Sequence, residues 1–213
     1  MFGAWPLRLR TGHLRGKLTV PLLKTPQDCY FDSWSIAQYS ESNGKGFPLF
    51  GSHTQEIKHW DVQSEKAMGA GRSLLTHRVA QNKEAMRDYL PKWLPKSLHG
   101  NLGMVVANLG IAFFRRKYNF KEAKPETWHQ TFADVLMAMS KQLEGRAYLL
   151  DDFSYADITM AAALQFLAPV DSTRIRIPKR SMPCWGTPDL ADQFPNLIAW
   201  RDALYAKHRS PAG

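Results

Sequence analysis

The side chains that could carry chemistry are few and scattered. The 213-residue chain has two cysteines, Cys29 and Cys184, and no CxxC pair, so it predicts neither a disulfide framework nor a cysteine-based zinc site. No two of its seven histidines form an HxxxH pair, and the nearest two, His53 and His59, are six residues apart. Metal chemistry is therefore not expected, and two thiols without a pairing pattern fit a reducing, cytoplasmic compartment.

The spacing of Ser154 and Asp157 is typical of a capping box at the start of a helix. A serine ahead of a helix can accept a bond from an unpaired backbone N–H, and an acidic residue three positions later can bond back to the serine N–H. The stretch Phe153–Leu167 is almost wholly apolar or small, so the sequence predicts a capped helix inside a core. We assign this capping box to structure and not to chemistry.

The elements before this helix predict a small strand–strand–helix module. Leu18–Leu23 and Cys29–Phe31 favour a hairpin around the turn Thr25–Asp28, and Asp32-Ser33 starts a helix that stops at Asn43-Gly44. The Val20-Pro21 peptide belongs to a strand start, edge or bulge, or is a cis peptide. Asp32-Ser33 taken alone is a plain N-cap pair.

Everything after the module is helical in pattern. Helices are expected from Ser52 or Thr54 to about Asn82, over Lys83–Leu94, Leu98–Tyr118 and Pro125–Gly145, after Ser154 and after Phe194. The fold class is α+β, mostly α, with residues 1–44 as a partial N-terminal domain, 45–51 as a linker and 52–213 as an all-helical domain.

The net charge is +9, which favours anionic partners. The Lys and Arg residues are scattered, and none of the signatures of nucleic-acid recognition is present. We therefore expect a basic solvated surface and neither a nucleic acid nor a membrane as partner.

The longest apolar run, Leu102–Phe114, is well short of the roughly 20 residues that span a bilayer. It predicts a buried helix ended by the Arg115-Arg116-Lys117 cluster, which suits a helix C-terminus. An interfacial membrane helix is the alternative, although its polar face is poorly developed.

Three stretches resemble the glutathione S-transferase family. Thr19–Leu23 with Asp32–Tyr39 is similar to the second half of its thioredoxin-like domain, where a Val-Pro-x-Leu strand precedes an Ile-Ala-x-Tyr helix. Phe153–Ile158 resembles the capping box on the core helix of its C-terminal domain, and Phe194–Trp200 resembles its terminal helix. The order of the three along the chain makes the resemblance fairly specific.

The resemblance implies a glutathione site. The peptide before Pro21 would be cis, so that the backbone of Val20 pairs with the cysteinyl part of glutathione like one more strand. The Ser33 hydroxyl and nearby N–H groups would bind the γ-glutamyl carboxylate. Asp32 would pair with the ligand's ammonium group, directly or through a neighbour.

One part of the family's pattern has no counterpart. In the family, a strand, helix and strand precede the Val-Pro strand, and their first loop carries the Ser, Cys or Tyr that stabilises the glutathione thiolate. Only about twenty residues precede Pro21, whereas a complete βαβ unit needs about 30 residues. We therefore expect this unit to be missing, through a start that is not the true one or a gene reduced to a partial protein. The catalytic residue stays unknown, because Cys29 and Tyr30 lie on the wrong strand.

Two functions follow as hypotheses. The first is a glutathione S-transferase-like protein, cytoplasmic and dimeric as the family implies. It would bind glutathione as co-substrate and conjugate it to hydrophobic electrophiles, with weak or absent activity in the given chain. The second is a non-catalytic transferase-like interaction module or a basic protein that binds polyanions.

Overall fold

The computed structural model describes residues 21–90, 105–106, 108–110, 112, 124–170 and 177–209. The chain divides into two compact units, Met1–Thr54 and Gln55–Gly213. The described part of the first contains a two-stranded sheet and a helix, and the regular elements in the described part of the second are all helices or 3-10 turns, joined by loops. The predicted fold class, mostly helical with a small hairpin, is confirmed.

The first unit starts with the hairpin. Strand β1 is Leu23–Lys24 and strand β2 is Cys29–Tyr30; they pair antiparallel, Leu23 opposite Tyr30 and Lys24 opposite Cys29. The intervening turn is closed by Thr25, whose N–H donates to Asp28 O at 2.9 Å. The Thr25 Oγ1 also accepts from the Asp28 N–H at 2.9 Å. These local bonds explain why the turn could be predicted from Thr25-Pro26-Gln27-Asp28 alone.

Helix α1 is Ser33–Asn43, as the sequence predicts. Asp32 is its N-cap, and Gly44 ends it by donating its N–H to Ser40 O at 2.7 Å. The segment after the helix folds back on it, because Glu41 Oε1 accepts from the N–H groups of Leu49 at 2.6 Å and Phe50 at 3.1 Å. No residue of α1 is fully buried.

The second unit opens with a long helix, α2, over Thr54–Gln81, which runs unbroken through Gly69 and Gly71. Helix α3 is only Lys83–Arg87. It was expected to extend to Leu94; residues 88–90 form a turn instead, and 91–94 lie outside the described residues. The Asp88 carboxylate accepts from the Ser181 N–H at 2.9 Å. The two residues are 93 positions apart, so no local sequence pattern predicts this hydrogen bond.

The expected helix over Leu98–Tyr118 lies largely outside the described residues. Those described between 105 and 112 are helical. The prediction of burial is wrong for this part, since Val105 is 53% and Leu109 65% exposed. A helix formed by a mostly apolar run has apolar side chains on every side. The sequence therefore does not indicate which side faces water.

The remaining helices build the core. They are α4 (Pro125–Gln142), α5 (Tyr155–Ala163), α6 (Pro188–Gln193) and α7 (Pro195–His208), with 3-10 turns at Leu164–Phe166 and Met182–Cys184. Helix α7 packs against α4, α6 and the first 3-10 turn. Helix α5 is buried at most of its positions, and Ile158 is its most exposed large apolar residue at 40%. Within the described residues, no helix has the length and apolar character needed to cross a bilayer.

Candidate functional site

The start of α1 is the candidate ligand site in the first unit. Asp32 Oδ1 accepts from the Ser35 N–H and Asp32 Oδ2 from the Ser35 hydroxyl, both at 2.8 Å. The carboxylate is thus held in place by the helix that it caps, and its negative charge lies at the positive end of the helix. An ammonium group bound there would share oxygens that are already oriented.

The other predicted site residues are placed as follows. Ser33 is the first residue of α1 and is exposed, so its hydroxyl is accessible at the helix N-terminus. Pro21 is also exposed and lies at a bend two residues before β1. Val20, and with it the geometry of the Val20-Pro21 peptide, lies outside the described residues. Asp32 and Ser33 are neighbours in sequence and lie together at the start of α1.

Ser154 and Asp157 form a capping box at the start of α5. The Asp157 Oδ2 accepts from the Ser154 N–H at 2.8 Å and from the Ser154 hydroxyl at 3.1 Å, and Oδ1 accepts from the Leu149 N–H at 2.8 Å. Burial raises the pKa of the Asp157 carboxyl, while the N–H and hydroxyl donors around it pull the pKa down. The box therefore fixes both the helix start and the loop that precedes it.

The family model described as glutathione S-transferase, C-terminal domain, matches residues 92–203, more than half of the chain. The chain belongs to this family. Searches among curated proteins and among solved structures found no match.

Among the described residues of this glutathione S-transferase C-terminal domain, Arg201 is a buried cation that the sequence did not single out. Arg201 on α7 is 2% exposed, and its Nη1 donates to Leu164 O at 3.2 Å and to Ala168 O. Its Nε and Nη2 donate to Asp202 at 3.0 and 2.8 Å. The guanidinium thus donates to two carbonyls beyond the end of α5: that of the half-buried Ala168, and that of Leu164, which also accepts from the N–H groups of Leu167 and Ala168 at 3.1 Å.

A second missed pair lies on the surface of the same domain. His129 Nε2 on α4 contacts Asp189 Oδ2 on α6 at 2.5 Å, and both side chains are substantially exposed. His129 separates two shallow grooves, of about 340 and 420 Å³, whose walls include Asp134, Met137 and Phe194 on one side and Leu74, His77 and Arg78 on the other. Sixty residues separate the two partners, so no local signal could have found the pair.

Both thiols are free, so neither is part of a disulfide. Cys29 is half-buried on β2, and Cys184 is 4% exposed beside α3. Burial raises the pKa of the Cys184 thiol, against the lowering effects of the nearby Arg78 charge and the Asn82 side chain. Within the part of the chain that the structure describes, no group of three His, Cys, Asp or Glu side chains could hold a metal ion.

Proposed function

We propose that this chain is a glutathione S-transferase-like protein whose first unit binds glutathione at the start of α1. The observation that supports the proposal is the helix start at Asp32 and Ser33. It follows the β1–β2 hairpin, which Pro21 precedes. The C-terminal part of the same chain belongs to the transferase family. Residues 1–44 would then be a partial thioredoxin-like domain, 45–51 a linker and 52–213 the helical domain.

The charges of the ligand fit the charges of this helix start. The γ-glutamyl group of glutathione carries a carboxylate and an ammonium group on the same carbon. A serine hydroxyl at a helix N-terminus suits the carboxylate, and the adjacent Asp32 carboxylate suits the ammonium. Val20 and Pro21 would hold the cysteinyl backbone by strand-like pairing.

The chemistry proposed is transfer of the glutathione thiolate to hydrophobic electrophiles. The protein's part in such a reaction is to lower the thiol pKa and to orient the sulfur. No side chain of the described residues is assigned to activating the thiol. We therefore expect glutathione binding with slow or no conjugation by this chain, in the cytoplasm and as a homodimer.

Binding is tested with a pair of matched serine variants. Ser33→Ala removes the hydroxyl at the start of α1. Ser42→Ala removes another exposed hydroxyl near the end of α1, where it donates to Gln38 O at 2.9 Å. A hydrogen bond to a charged group contributes about 1.5–3 kcal/mol, so Ser33→Ala should weaken binding by about tenfold or more. Titration calorimetry with glutathione should leave Ser42→Ala at the wild-type affinity. Equal affinities for the two variants would refute the site.

The net charge of +9 favours a second candidate, binding of polyanions. Chromatography on immobilised glutathione and on heparin separates the two. Retention on glutathione with elution by free glutathione supports the transferase-like reading. Salt-sensitive retention on heparin alone would favour a polyanion-binding module.

A further inference from the structure

Three polar side chains meet where the end of α7 lies beside the loop that precedes α5. Lys207 Nζ donates to the Tyr148 hydroxyl oxygen at 2.7 Å, and His208 Nε2 lies 3.0 Å from the same oxygen. An ammonium group can only donate, so the phenol oxygen is the acceptor in its bond with Lys207, and the phenol proton remains available for donation. His208 Nε2 accepts from that hydroxyl when the imidazole carries its own proton on Nδ1. We name Tyr148, Lys207 and His208 the tyrosine cluster.

Packing and backbone hydrogen bonds hold the rings of the tyrosine cluster in place. The His208 ring stacks on Phe153, with the ring centroids 3.9 Å apart and the planes 3° from parallel. The carbonyl of the residue before Tyr148 accepts from Trp200 Nε1 on α7 at 2.9 Å. The N–H of the residue after Tyr148 donates to the Asp157 carboxylate at 2.8 Å. The phenol and the imidazole are thus oriented by the fold, although both of their hydrogen bonds are accessible from solvent.

We propose that Tyr148 is a nucleophile that takes acyl groups from activated esters, with His208 as its general base. In this step Tyr148 Oη forms a bond to the acyl carbon, and the phenol proton moves to His208 Nε2. The bond from the acyl carbon to the leaving oxygen breaks, and its electron pair departs with that oxygen. The product is an aryl ester at Tyr148. The site lies in the second unit and is independent of the proposed glutathione site.

The geometry supplies what such a step requires. A hydroxyl nucleophile is activated by a base within about 2.6–3.2 Å, and the distance from Tyr148 Oη to His208 Nε2 lies in that range. The Lys207 ammonium contacts the oxygen on which negative charge develops as the proton leaves. Both basic residues belong to the last turn of α7, where the partial negative charge of the helix C-terminus favours the imidazolium that forms.

The probe for this reaction is p-nitrophenyl acetate, which releases p-nitrophenolate and leaves an acetyl group on the nucleophile. Peptide mapping of the full chain by mass spectrometry locates the acetyl group, and hydroxylamine removes it from tyrosine but not from lysine. Tyr89 is the matched control, because it is 48% exposed and no described residue hydrogen-bonds its hydroxyl, whereas Tyr148 is only half-exposed. Tyr148 should be acetylated about a hundredfold faster than Tyr89, which is the lower end of the effect of a positioned general base. Exposure alone predicts the opposite order.

Substitutions in the tyrosine cluster separate the base from the charge. His208→Phe keeps a ring that can stack on Phe153 and removes the base, so it should slow acetylation of Tyr148 by about a hundredfold. Lys207→Met removes the charged donor and should slow it by about tenfold, and Lys207→Arg should restore most of the rate. Circular dichroism should show that all three variants are folded. Equal rates at Tyr148 and Tyr89, a wild-type rate in His208→Phe, or acetylation of Lys207 or His208 in place of Tyr148 would each overturn the proposal.

Discussion

At Gly71, helix α2 packs closely against Phe166 in the 3-10 turn that follows α5. A Cβ atom added at Gly71 would lie 2.3 Å from Phe166 Cβ, 2.5 Å from Cγ and 2.9 Å from Cδ2. The first of these atoms is attached directly to the Phe166 backbone, so a rotamer change cannot move it away. Gly71→Ala must therefore displace the 3-10 turn or α2. It would also disturb the stacking of Phe166 on Trp185, whose ring centroids are 5.7 Å apart.

Gly69 supplies the control two residues earlier in the same helix. A Cβ at Gly69 would meet no atom within 4 Å. Both substitutions gain about 1 kcal/mol of helix propensity, because glycine is the less favourable residue in a helix interior. Only Gly71→Ala also incurs overpacking, which destabilises by about 1–3 kcal/mol. The difference between the two variants isolates this steric contribution.

Thermal unfolding followed by circular dichroism measures that difference. For a chain of this size, each kcal/mol shifts Tm by about 2–4 °C. Gly69→Ala should melt at or slightly above the wild type, and Gly71→Ala should melt below Gly69→Ala by about 2–12 °C. Equal Tm values for the two variants would refute the close packing of α2 on Phe166.

Two buried polar groups give the remaining predictions. Arg201→Leu removes the guanidinium donor from the Ala168 carbonyl, while the Leu164 carbonyl keeps its two backbone donors. It should lower the free energy of unfolding by about 1–3 kcal/mol in urea titrations. Arg87→Leu, an exposed control, should change it by under about 0.5 kcal/mol. A wild-type result for Arg201→Leu would contradict its capping role. Asp157→Asn tests the raised pKa of the Asp157 carboxyl. The folded chain binds the Asp157 proton more tightly than the unfolded chain does. Proton binding therefore adds fully to the free energy of unfolding below the usual Asp pKa of about 4, and this stabilisation is lost as the pH rises through the raised pKa of the folded chain. The stability of the wild type relative to Asp157→Asn should therefore fall from about pH 4 upward, and a rise would contradict the assignment.

The elements that the sequence predicted well are those whose bonds close within a few residues. The Thr25–Asp28 turn, the Asp32 cap and the Ser154–Asp157 box each need only their own neighbours. Side-chain type and spacing carry this information directly. The same holds for the family, whose capping box and terminal helix lie within the matched residues 92–203.

The features that the sequence could not provide depend on which distant segments meet. Arg201 bonds carbonyls more than thirty residues away, and His129 meets Asp189 across sixty. Neither the type of each residue nor its sequence neighbours indicate its distant partner. The exposure of Leu109 is of the same kind, because an apolar run defines a helix but not which neighbour, if any, covers each side.

The proposed glutathione site and the packing of the helical unit can be tested separately. Binding would depend on a polar helix start in the first unit, where Asp32 and Ser33 would pair with the ligand's charges. Gly71 and Arg201 lie in the second unit, where they affect packing and buried hydrogen bonds. Ser33→Ala should thus lower the glutathione affinity and leave Tm unchanged. A fall in both would indicate that the substitution perturbs the fold, because the exposed Ser33 hydroxyl has no part in the packing of the second unit.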